Sequence, residues 1–414
     1  MKNITCVAGT RPEAIKMAPV ILELRNNPDF HVTTLATGQH TDMLQQALRD
    51  FGIVPDVDMN IMRERQSLDY ITSSVLEGVG KFLDTFKQDM ILVHGDTSTT
   101  FAAALAGFYR KIPVGHVEAG LRSNDLYLPF PEEANRVLTD RIASLYFAPT
   151  EGDKNNLLRE GISGEKILVT GNTVIDALYN ILERNNTPPS HFVSHLPTSG
   201  EAESPLSKGR CQSKIDREVE YGKGRCQSKI DREVEYGEVD NDRPMILMTA
   251  HRRESWGETL KGICAAVSDI IKIRNDVVFL IPLHKNPIVR NVIKDCLKDF
   301  SDNVIFTEPL NYPEFVNAMN KSVFILSDSG GVQEEASALN KPVLIMRTLS
   351  ERPEAITHGT CILVGTERKN IFEEAIKILN DPEYLKKIIA KNTMPFGNGT
   401  ASKKIHEAIK NYFN

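Results

Sequence analysis

Carboxylates stand at the ends of two predicted strands and at the start of a predicted helix. Asp96 follows the apolar run in DMILVHGD, Glu118 follows the run in PVGHVE, and Glu132 opens the helix after PFP. Taken singly, Asp96 is typical of a helix N-cap, and Glu132 of a first-turn charge that offsets the helix dipole. Parallel strands end at one edge of a sheet, so the three together predict a cleft in which acid and base roles are divided.

A second group of residues has the character of an anion site. In VAGTRPEAIK a strand passes into a helix, and Thr10 and Glu13 have the spacing of a capping box, which predicts a structural role for Glu13. Arg11 and Lys16 stand near the free N–H groups of that helix, an arrangement that suits a phosphate. Two solvated surface charges would give the same pattern, and these residues alone do not separate the two interpretations.

The stretch FILSDSGGVQEEASALNKPV has a similar form, with an apolar run, a turn and a helix. The N–H groups of Ser329, Gly330 and Gly331, with the serine hydroxyl, could hold an anion at the turn. A carboxylate about one turn into the helix repels phosphate but accepts hydrogen bonds from a ribose diol. Glu334 is predicted to be a charge at the helix start. The pattern indicates a nucleotide diphosphate with its sugar attached.

Basic residues follow other predicted strands in the second half of the chain. MTAHRRESWGE places His251 and Arg252 after one strand, IPLHKNP places His284 after another, and RTLSERPEA brings Arg352 to a helix start. A histidine in such a position can share a proton or hold a phosphate oxygen, although a single histidine is more often only hydrogen-bonded. A cation beside helix N–H groups again suits a phosphate.

These residues need a framework that brings strand ends together. Short apolar runs alternate with helical patterns in both halves of the chain, which predicts parallel sheets with helices on both faces. We therefore expect an α/β protein of two doubly wound, Rossmann-like domains. Ligands bind at the carboxyl ends of such strands, so the active site is predicted in the cleft between the domains.

One segment departs from this rhythm. KGRCQSKIDREVEYG occurs at residues 208–222 and again at 223–237, within a polar segment of about residues 185–242. Two copies are too few for a solenoid, which needs about three stacked units. A partner-binding arm is one interpretation. We favour a duplicated surface insertion, which long loops tolerate at low entropic cost.

Composition limits the other functions open to the chain. Its 414 residues are 41% hydrophobic and 25% charged, with net charge −6, so no general basic field for nucleic acid is expected. The sequence contains no apolar run of membrane-spanning length and no secretory signal, so we expect a cytoplasmic protein without membrane contact and with reduced cysteines. No GxGxxG follows the first strand, and GxxxxGK[ST], HExxH and GxSxG patterns are absent, so we expect neither a nicotinamide cofactor nor a metal.

Together the motifs resemble the bacterial non-hydrolysing UDP-N-acetylglucosamine 2-epimerases. They occur in that family's order and span nearly the whole chain, except roughly residues 185–242. The matching stretches are GTRPEAIKMAP, TGQHTDML, LVHGDTSTT, HVEAGLRS, PFPEEANR, TGNTVIDAL, TAHRRESWG, PLHKNP, SDSGGVQEEA, KPVLIMRTLSERPEA and PFGNGTASKKI.

The resemblance implies a fold, a reaction and an assembly. The family has the two-domain glycosyltransferase-B architecture, which here would give domains at residues 1–175 and 176–394, with a C-terminal helix at about 395–414 crossing back to the first. The family works as a homodimer and needs no metal or nicotinamide. It interconverts UDP-N-acetylglucosamine and UDP-N-acetylmannosamine by expelling UDP to leave a bound glycal and adding it back. The product supplies N-acetylmannosamine units for bacterial surface polysaccharide.

The resemblance also implies roles for individual residues. Asp96, Glu118 and Glu132 resemble the family's acid–base carboxylates, and His251 resembles its histidine that contacts the UDP. The substrate contacts carried over by motif are Arg11, Lys16, Phe315 near the uracil, Ser329, Gly330 and Gly331 at the diphosphate, Glu335 at the ribose and Arg352 near the phosphates. Which carboxylate takes the proton on which face of the sugar is left open.

The bacterial family has a second UDP-N-acetylglucosamine that acts as an allosteric activator. The residues that resemble parts of its site are Gln39, His40, Arg65, Gln66, Arg252 and His284. Hydrolysing relatives diverge around GQH and HVEAGLR, and both are intact here. A glycosyltransferase of the same architecture and a catalytically idle nucleotide-sugar sensor are the alternatives. The carboxylates after VHGD and HVEAG speak against the first, and the presence of all three speaks against the second.

Overall fold

A computed structural model gives the structure of the chain. It describes residues 1–414 except 39–40, 62, 64–65, 186–242, 253–255 and 351. The duplicated segment predicted as an insertion lies outside the described residues.

Short apolar runs form the strands, as predicted. Within the described part of the chain there are seven strands in one sheet and six in another, and all pair in parallel. The first sheet comprises β1 Lys2–Ala8, β2 Phe30–Ala36, β3 Val57–Asp58, β4 Met90–His94, β5 Val114–Val117, β6 Leu145–Ala148 and β7 Ile167–Val169. The second comprises β8 Met245–Thr249, β9 Val278–Pro282, β10 Val304–Thr307, β11 Phe324–Ser327, β12 Val343–Ile345 and β13 Cys361–Leu363.

Helices connect the strands, and a single 3₁₀ turn, Gly164–Lys166, precedes β7. The helices of the first half are α1 Arg11–Arg25, α2 Thr41–Asp50, α3 Leu68–Thr85, α4 Ser98–Tyr109, α5 Glu132–Ile142, α6 Glu151–Arg159 and α7 Thr173–Arg184. Those of the second half are α8 Glu258–Ile273, α9 Pro287–Leu297, α10 Tyr312–Lys321, α11 Gly330–Ala338, α12 Pro353–Thr357, α13 Arg368–Asn380, α14 Pro382–Ala390 and α15 Ala401–Phe413. None of the described helices is long and apolar enough to cross a membrane.

The order of the strands creates the crevices that ligands use. The first sheet runs β3-β2-β1-β4-β5-β6-β7 and the second β10-β9-β8-β11-β12-β13. In each sheet the order reverses at one point, between β1 and β4 and between β8 and β11. Doubly wound sheets bind ligands beyond the carboxyl ends of the strands at such a point. The predicted fold of two Rossmann-like domains is therefore confirmed.

The predicted capping box begins α1. The Thr10 hydroxyl accepts from the backbone N–H of Glu13 at 3.5 Å, and the Glu13 carboxylate accepts from the backbone N–H groups of Thr10 and Gly9 at 2.7 and 2.6 Å. The carboxylate also accepts from the hydroxyls of Thr97 and Thr100, beside α4. Glu13 is buried and structural, as predicted, because it joins the loops after β1 and β4 at the first switch point.

The last helix returns to the first half of the chain. In α15 the His406 ring lies 3.2 Å from Glu23 of α1, and Lys410 pairs with Asp29 at 2.9 Å. The backbone N–H of Ser402 and its hydroxyl both donate to Asp176 of α7, at 2.8 and 2.6 Å. Helix α7 in turn packs on α1, α10 and α11, so it touches helices of both sheets. The domain boundaries given above stay a prediction.

Candidate active site

A cavity of about 760 Å³ is lined by residues that follow strands of both sheets. With the exception of Gly330, the predicted substrate contacts lie on it. These residues are Arg11, Lys16, Phe315, Ser329, Gly331, Glu335 and Arg352. The Arg11 guanidinium also donates to the carbonyl of Leu310 at 3.2 Å, a contact between the first half of the chain and the second. The cavity thus has cations on one side and the Ser-Gly-Gly turn on the other.

The Ser-Gly-Gly turn begins α11. Ser329 is the N-cap but its side chain makes no capping hydrogen bond, so the first N–H groups of α11 lack the usual hydroxyl partner. A Cβ added to Gly330 would lie 3.9 Å from its nearest neighbour, Arg252, and one added to Gly331 would lie 4.0 Å from Glu335. Neither glycine has a positive φ. Neither packing nor backbone conformation therefore requires glycine here. The two glycines leave the N–H groups open to a ligand in the cavity.

Glu335 lies one turn into α11, on the same cavity. Its carboxylate is buried and accepts a hydrogen bond from the Tyr312 hydroxyl at 2.9 Å. Burial and, to a smaller extent, the neighbouring Glu334 raise the pKa of Glu335 to about 7, although the hydrogen bond from Tyr312 lowers it. Near neutral pH this group can therefore either accept or donate hydrogen bonds to a diol.

The prediction that Glu334 is a charge at the helix start is wrong. Its side chain is buried beyond the first turn, where it forms an ion pair with Arg352 and lies 4.0 Å from the Lys16 ammonium. The Asn172 amide also donates to it at 2.9 Å. A buried carboxylate needs such partners because its desolvation is costly, and here two of them come from the first half of the chain.

His251 lies at the rim of the cavity, on the loop after β8. Its Nδ1 is 2.9 Å from the buried carboxylate of Asp328, which also accepts from the backbone N–H groups of His251 and Arg252 at 2.9 Å. Although burial would raise the pKa of Asp328, the bonds from His251 and Arg252 lower it. A carboxylate only accepts, so the close approach of Nδ1 to Asp328 leaves Nε2 as the ring nitrogen for a ligand. The ring stacks on His284, with centroids 6.3 Å apart.

Asp96 follows β4 through Gly95, whose positive φ of 70° turns the chain at the strand end. Its carboxylate accepts from the guanidinium of Arg136 on α5, at 3.0 and 2.6 Å. The amide of Asn135 donates to the Asp96 carbonyl at 2.9 Å. Helix α5, which begins at Glu132, is thereby fastened to the end of β4.

Glu118 has an unusual backbone for a non-glycine residue, with φ of 66°. One carboxylate oxygen accepts from the Lys16 ammonium and from the Asn172 amide, the latter at 2.8 Å. Although burial would raise its pKa, Lys16 and neighbouring positive charge hold the pKa well below its usual range. Glu118 is therefore an anion in this state, and it stands next to the cavity wall formed by Lys16.

His94 lies behind Glu118. Its Nε2 is 3.5 Å from the second Glu118 oxygen, and within the described residues neither ring nitrogen has a hydrogen-bond partner. Burial lowers the pKa of His94 to about 3, so the ring is neutral. The neutral His94 ring therefore lies beside Glu118 without forming an ion pair with it.

A buried network of hydrogen bonds and ion pairs connects the ends of β4 and β5 to α5. The His116 ring lies 2.6 Å from Asp140 through Nδ1 and 2.7 Å from the Gly95 carbonyl through Nε2. Arg122 donates to Asp140 at 2.7 Å. Both partners of the ring are acceptors, so both ring nitrogens donate and Asp140 balances the charge. Although burial would raise it, the pKa of Asp140 is lowered by His116 and Arg122.

The predicted acid–base set lies at one edge of the first sheet. A Cβ on Gly95 would be 3.5 Å from the Glu118 carboxylate, so the loop that carries Asp96 touches Glu118. Glu132 is half-buried in the first turn of α5, one turn before Arg136. Its neighbour Glu133 is buried and pairs with Arg136 at 3.0 Å. The catalytic roles of Asp96, Glu118, Glu132 and His251 stay predictions.

The residues predicted for a second nucleotide-sugar site divide into two groups. Gln39, His40 and Arg65 lie outside the described residues, and Gln66 precedes α3. His284 lines the cavity, and the Arg252 guanidinium lies 3.9 Å from the position that a Cβ on Gly330 would take.

Sequence reasoning missed the partners of the predicted residues. These partners are His94, His116, Arg136, Asp140, Asn172 and Tyr312. The pairing of Arg136 with Glu133 could have been found, because the two stand three residues apart on the same helix face. Asn172 also follows a strand end, in VTGNTV. Among the described residues, no group of three or more His, Cys, Asp or Glu side chains is arranged to hold a metal ion.

Comparison with known proteins identifies the family to which the chain belongs. A family model described as UDP-N-acetylglucosamine 2-epimerase matches residues 22–202 and 213–410. The UDP-N-acetylglucosamine 2-epimerase of Escherichia coli K12 is 45% identical over 412 residues, covering 99% of each chain. That of Neisseria meningitidis serogroup A is 46% identical over 409 residues, also covering 99% of each chain.

The fold is likewise shared with a solved structure. The crystal structure of UDP-GlcNAc 2-epimerase from Neisseria meningitidis bound to UDP-GlcNAc aligns with a TM-score of 0.81 at 44% identity, covering 99% of this chain and 100% of that one. The chain therefore belongs to the UDP-N-acetylglucosamine 2-epimerase family of isomerases.

Proposed function

We propose that the chain interconverts UDP-N-acetylglucosamine and UDP-N-acetylmannosamine by eliminating UDP to a bound 2-acetamidoglucal and adding it back. The observation that carries the proposal is one cavity with an open Ser-Gly-Gly turn on one wall and Lys16, the partner of Glu118, on the other. The named activities of the Escherichia coli and Neisseria meningitidis relatives support the substrate assignment.

The UDP half of the substrate binds to the second sheet's side of the cavity. The N–H group of Gly331 and the hydroxyl of Ser329 face the diphosphate, and the guanidinium groups of Arg11 and Arg352 neutralise it. Glu335 accepts hydrogen bonds from the ribose hydroxyls. Phe315, which lines the same cavity, lies against the uracil.

Proton removal and UDP departure are coupled, because an unactivated C2–H bond is a poor acid. A carboxylate takes the C2 proton, the C–H electron pair becomes the second bond between C1 and C2, and the C1–O electron pair leaves with UDP. Cations and N–H groups around the diphosphate stabilise the charge that develops there. Return of UDP to C1 and of a proton to the opposite face of C2 completes the epimerisation.

The three carboxylates share the acid and base roles. Glu118 is ionised in this state, which suits a base, and the Asp96 carboxylate is held in position by Arg136 at 2.6 Å. Glu132 begins the helix to which Asp96 is fastened. His251, oriented by Asp328, contacts the departing UDP through Nε2. Exclusion of water protects the glycal, which requires closure of the cavity during the reaction.

The proposal extends to regulation and assembly. A second UDP-N-acetylglucosamine molecule binds beside His284 and Arg252 and activates the enzyme. The enzyme works as a cytoplasmic homodimer, and its product supplies N-acetylmannosamine units for surface polysaccharide. Two domains at 1–175 and 176–394, with a C-terminal helix at about 395–414, move against each other during closure. The position of His284 on the cavity supports the activator site, and the contacts of α15 with α1 support the return of the C-terminal helix to the first domain.

The test is incubation with UDP-N-acetylglucosamine as the single substrate in D₂O, followed by NMR. The proposal predicts UDP-N-acetylmannosamine that carries deuterium at C2. Free UDP with free sugar would instead indicate a hydrolase. An unchanged substrate would overturn the proposal, and UDP binding measured by calorimetry on the same preparation would show that the protein was folded.

A further inference from the structure

The side chain of Asn172 lies between two carboxylates from different halves of the chain. Its Nδ2 donates to Glu118 at 2.8 Å and to Glu334 at 2.9 Å, and the residue is buried. An amide nitrogen carries two hydrogens, so both bonds form at once. Asn172 therefore connects the end of β5 directly to α11, the helix that begins at the Ser-Gly-Gly turn.

The orientation of this amide is fixed by its other atoms. Its Oδ1 accepts from the backbone N–H of Val174 at 3.0 Å, as the N-cap of α7. The Asn172 backbone N–H donates to the carbonyl of Phe396 at 2.8 Å. A flipped amide would lose the cap and place its oxygen against two carboxylates. The two N–H groups must therefore point at Glu118 and Glu334.

Helix capping alone does not explain an asparagine at this position. A cap uses only a side-chain oxygen, so serine, threonine or aspartate would serve as well. Asn286 caps α9 through the same kind of contact, to the backbone N–H of Ile288 at 3.0 Å. At Asn172 the nitrogen is needed for a different reason, because it is the neutral donor that both carboxylates share.

Glu118 requires such a donor more than an ordinary surface acid does. Its φ of 66° is an unfavourable backbone conformation for a residue with a Cβ. Its charge is balanced by Lys16, whose ammonium also lies 4.0 Å from Glu334, and Glu334 is paired with Arg352. Asn172 supplies a contact to Glu118 that persists if either cation moves to the diphosphate of a bound nucleotide.

We propose that Asn172 is a positioning residue of the epimerase reaction, which holds the Glu118 carboxylate for proton transfer and ties it to Glu334 on the UDP-binding helix. The inference rests on the proposed function. Asn172 touches Glu118, whereas the UDP contacts proposed above are made by other residues. Its replacement should therefore slow proton transfer much more than it weakens UDP binding.

The test compares Asn172→Ser and Asn172→Asp, both of which keep a capping oxygen for α7. Serine loses the two N–H bonds, and aspartate also places a third negative charge beside Glu118 and Glu334. Displacing a reacting group by about 1 Å can cost about 100-fold in rate. We expect kcat for C2 deuterium exchange to fall about 10-fold or more with serine and about 100-fold or more with aspartate. The Kd for UDP with the serine variant should stay within about threefold of the wild-type value.

Asn286→Ser and Asn286→Asp are matched controls, because they make the same changes at the N-cap of α9, and they should keep the wild-type exchange rate. If Asn172 acts only as a cap, both of its variants keep that rate, and the inference fails. It fails equally if the serine variant loses UDP affinity and thermal stability in step with kcat. A wild-type protein that shows no exchange would instead defeat the proposed function itself, and the inference with it.

Discussion

At the edge of the first sheet Asp96 and Glu118 each meet a cation, whereas the turn before α11 leaves the first N–H groups of that helix without a side-chain cap. Asp96 pairs with Arg136, and Glu118 contacts Lys16 and Asn172. At the turn, the Ser329 side chain makes no capping bond. In the proposed mechanism, the groups that transfer a proton are held in position by protein partners, whereas the turn proposed to bind UDP has N–H groups without a side-chain partner.

The largest expected effect comes from a substitution at the carboxyl-end edge of the first sheet. Asp96→Asn removes a proposed acid–base group while it leaves the turn intact. We expect C2 deuterium exchange to fall about 10²- to 10⁴-fold, the usual contribution of a general acid or base. UDP binding, measured by calorimetry, should be unchanged. Asp84→Asn is the matched control, because Asp84 also faces an arginine in a two-bond pair, with Arg110, but on the surface. Unimpaired exchange in Asp96→Asn would remove its proposed role.

A substitution in the turn before α11 should give the opposite result, because UDP binding should be lost first. Gly331→Val places methyl groups where the diphosphate is proposed to approach, and the nearest protein atom to the added Cβ is 4.0 Å away. We expect the Kd for UDP to rise about 10- to 100-fold, which corresponds to about 1.4–2.7 kcal/mol. Gly262→Ala in α8 is a control glycine with the same 4.0 Å clearance. Wild-type UDP affinity in Gly331→Val would contradict the proposed diphosphate site.

A smaller effect should appear in the pH dependence of UDP binding. The pKa of Glu335 is raised to about 7, so this group is protonated below that pH and ionised above it. A carboxylate accepts from both ribose hydroxyls more strongly than a carboxylic acid does. We therefore expect the Kd to fall about fivefold between pH 6 and 8, from a difference of about 1 kcal/mol.

Glu335→Gln separates this titration from that of the UDP phosphate, because the variant keeps the ligand but has no ionisable group at 335. The fall in Kd across neutral pH should be correspondingly smaller in the variant. Identical pH profiles for the two proteins would exclude Glu335 as the ribose acceptor.

The smallest effect should come from Tyr312→Phe. Its hydroxyl bond lowers the pKa of Glu335, so its loss should move the midpoint of the Kd–pH curve to higher pH. The free energy of unfolding should fall by about 1 kcal/mol, the usual net value of a hydrogen bond. Tyr179→Phe removes a hydroxyl bond to the carbonyl of Ala338, at the other end of α11, and should leave the midpoint in place. A midpoint that moves equally in both variants would contradict the local cause.

Local sequence was sufficient where the interaction is local. The capping box of Thr10 and Glu13 spans four residues, and the turn at Ser329 lies between a strand and a helix that are adjacent in the chain. Such features depend on backbone geometry over a few residues, which residue type specifies directly. The alternating strands and helices likewise predicted two parallel sheets, because short apolar runs between helices have few other ways to bury both faces.

Glu334 shows where local reasoning fails. Two acids after a glycine turn are typical of a helix start, yet Glu334 is buried against Arg352 and Asn172. The pairing of Asn172 with Glu334 joins residues 162 positions apart, and that with Glu118 joins residues 54 apart. The spacing of residues along the chain contains no signal for such contacts, because they depend on how α7 packs between the two sheets.

The amino-acid order by itself determined the two parallel sheets, the candidate anion-binding turn and the candidate carboxylates, because each depends on short-range pattern and on where strands end. Only the tertiary structure decided which of these carboxylates are buried, which cations and amides balance them, and that Asn172 joins the end of β5 to α11. The physical reason is desolvation: a buried charge is tolerated only beside a partner, and the fold, not the neighbouring sequence, brings that partner into place.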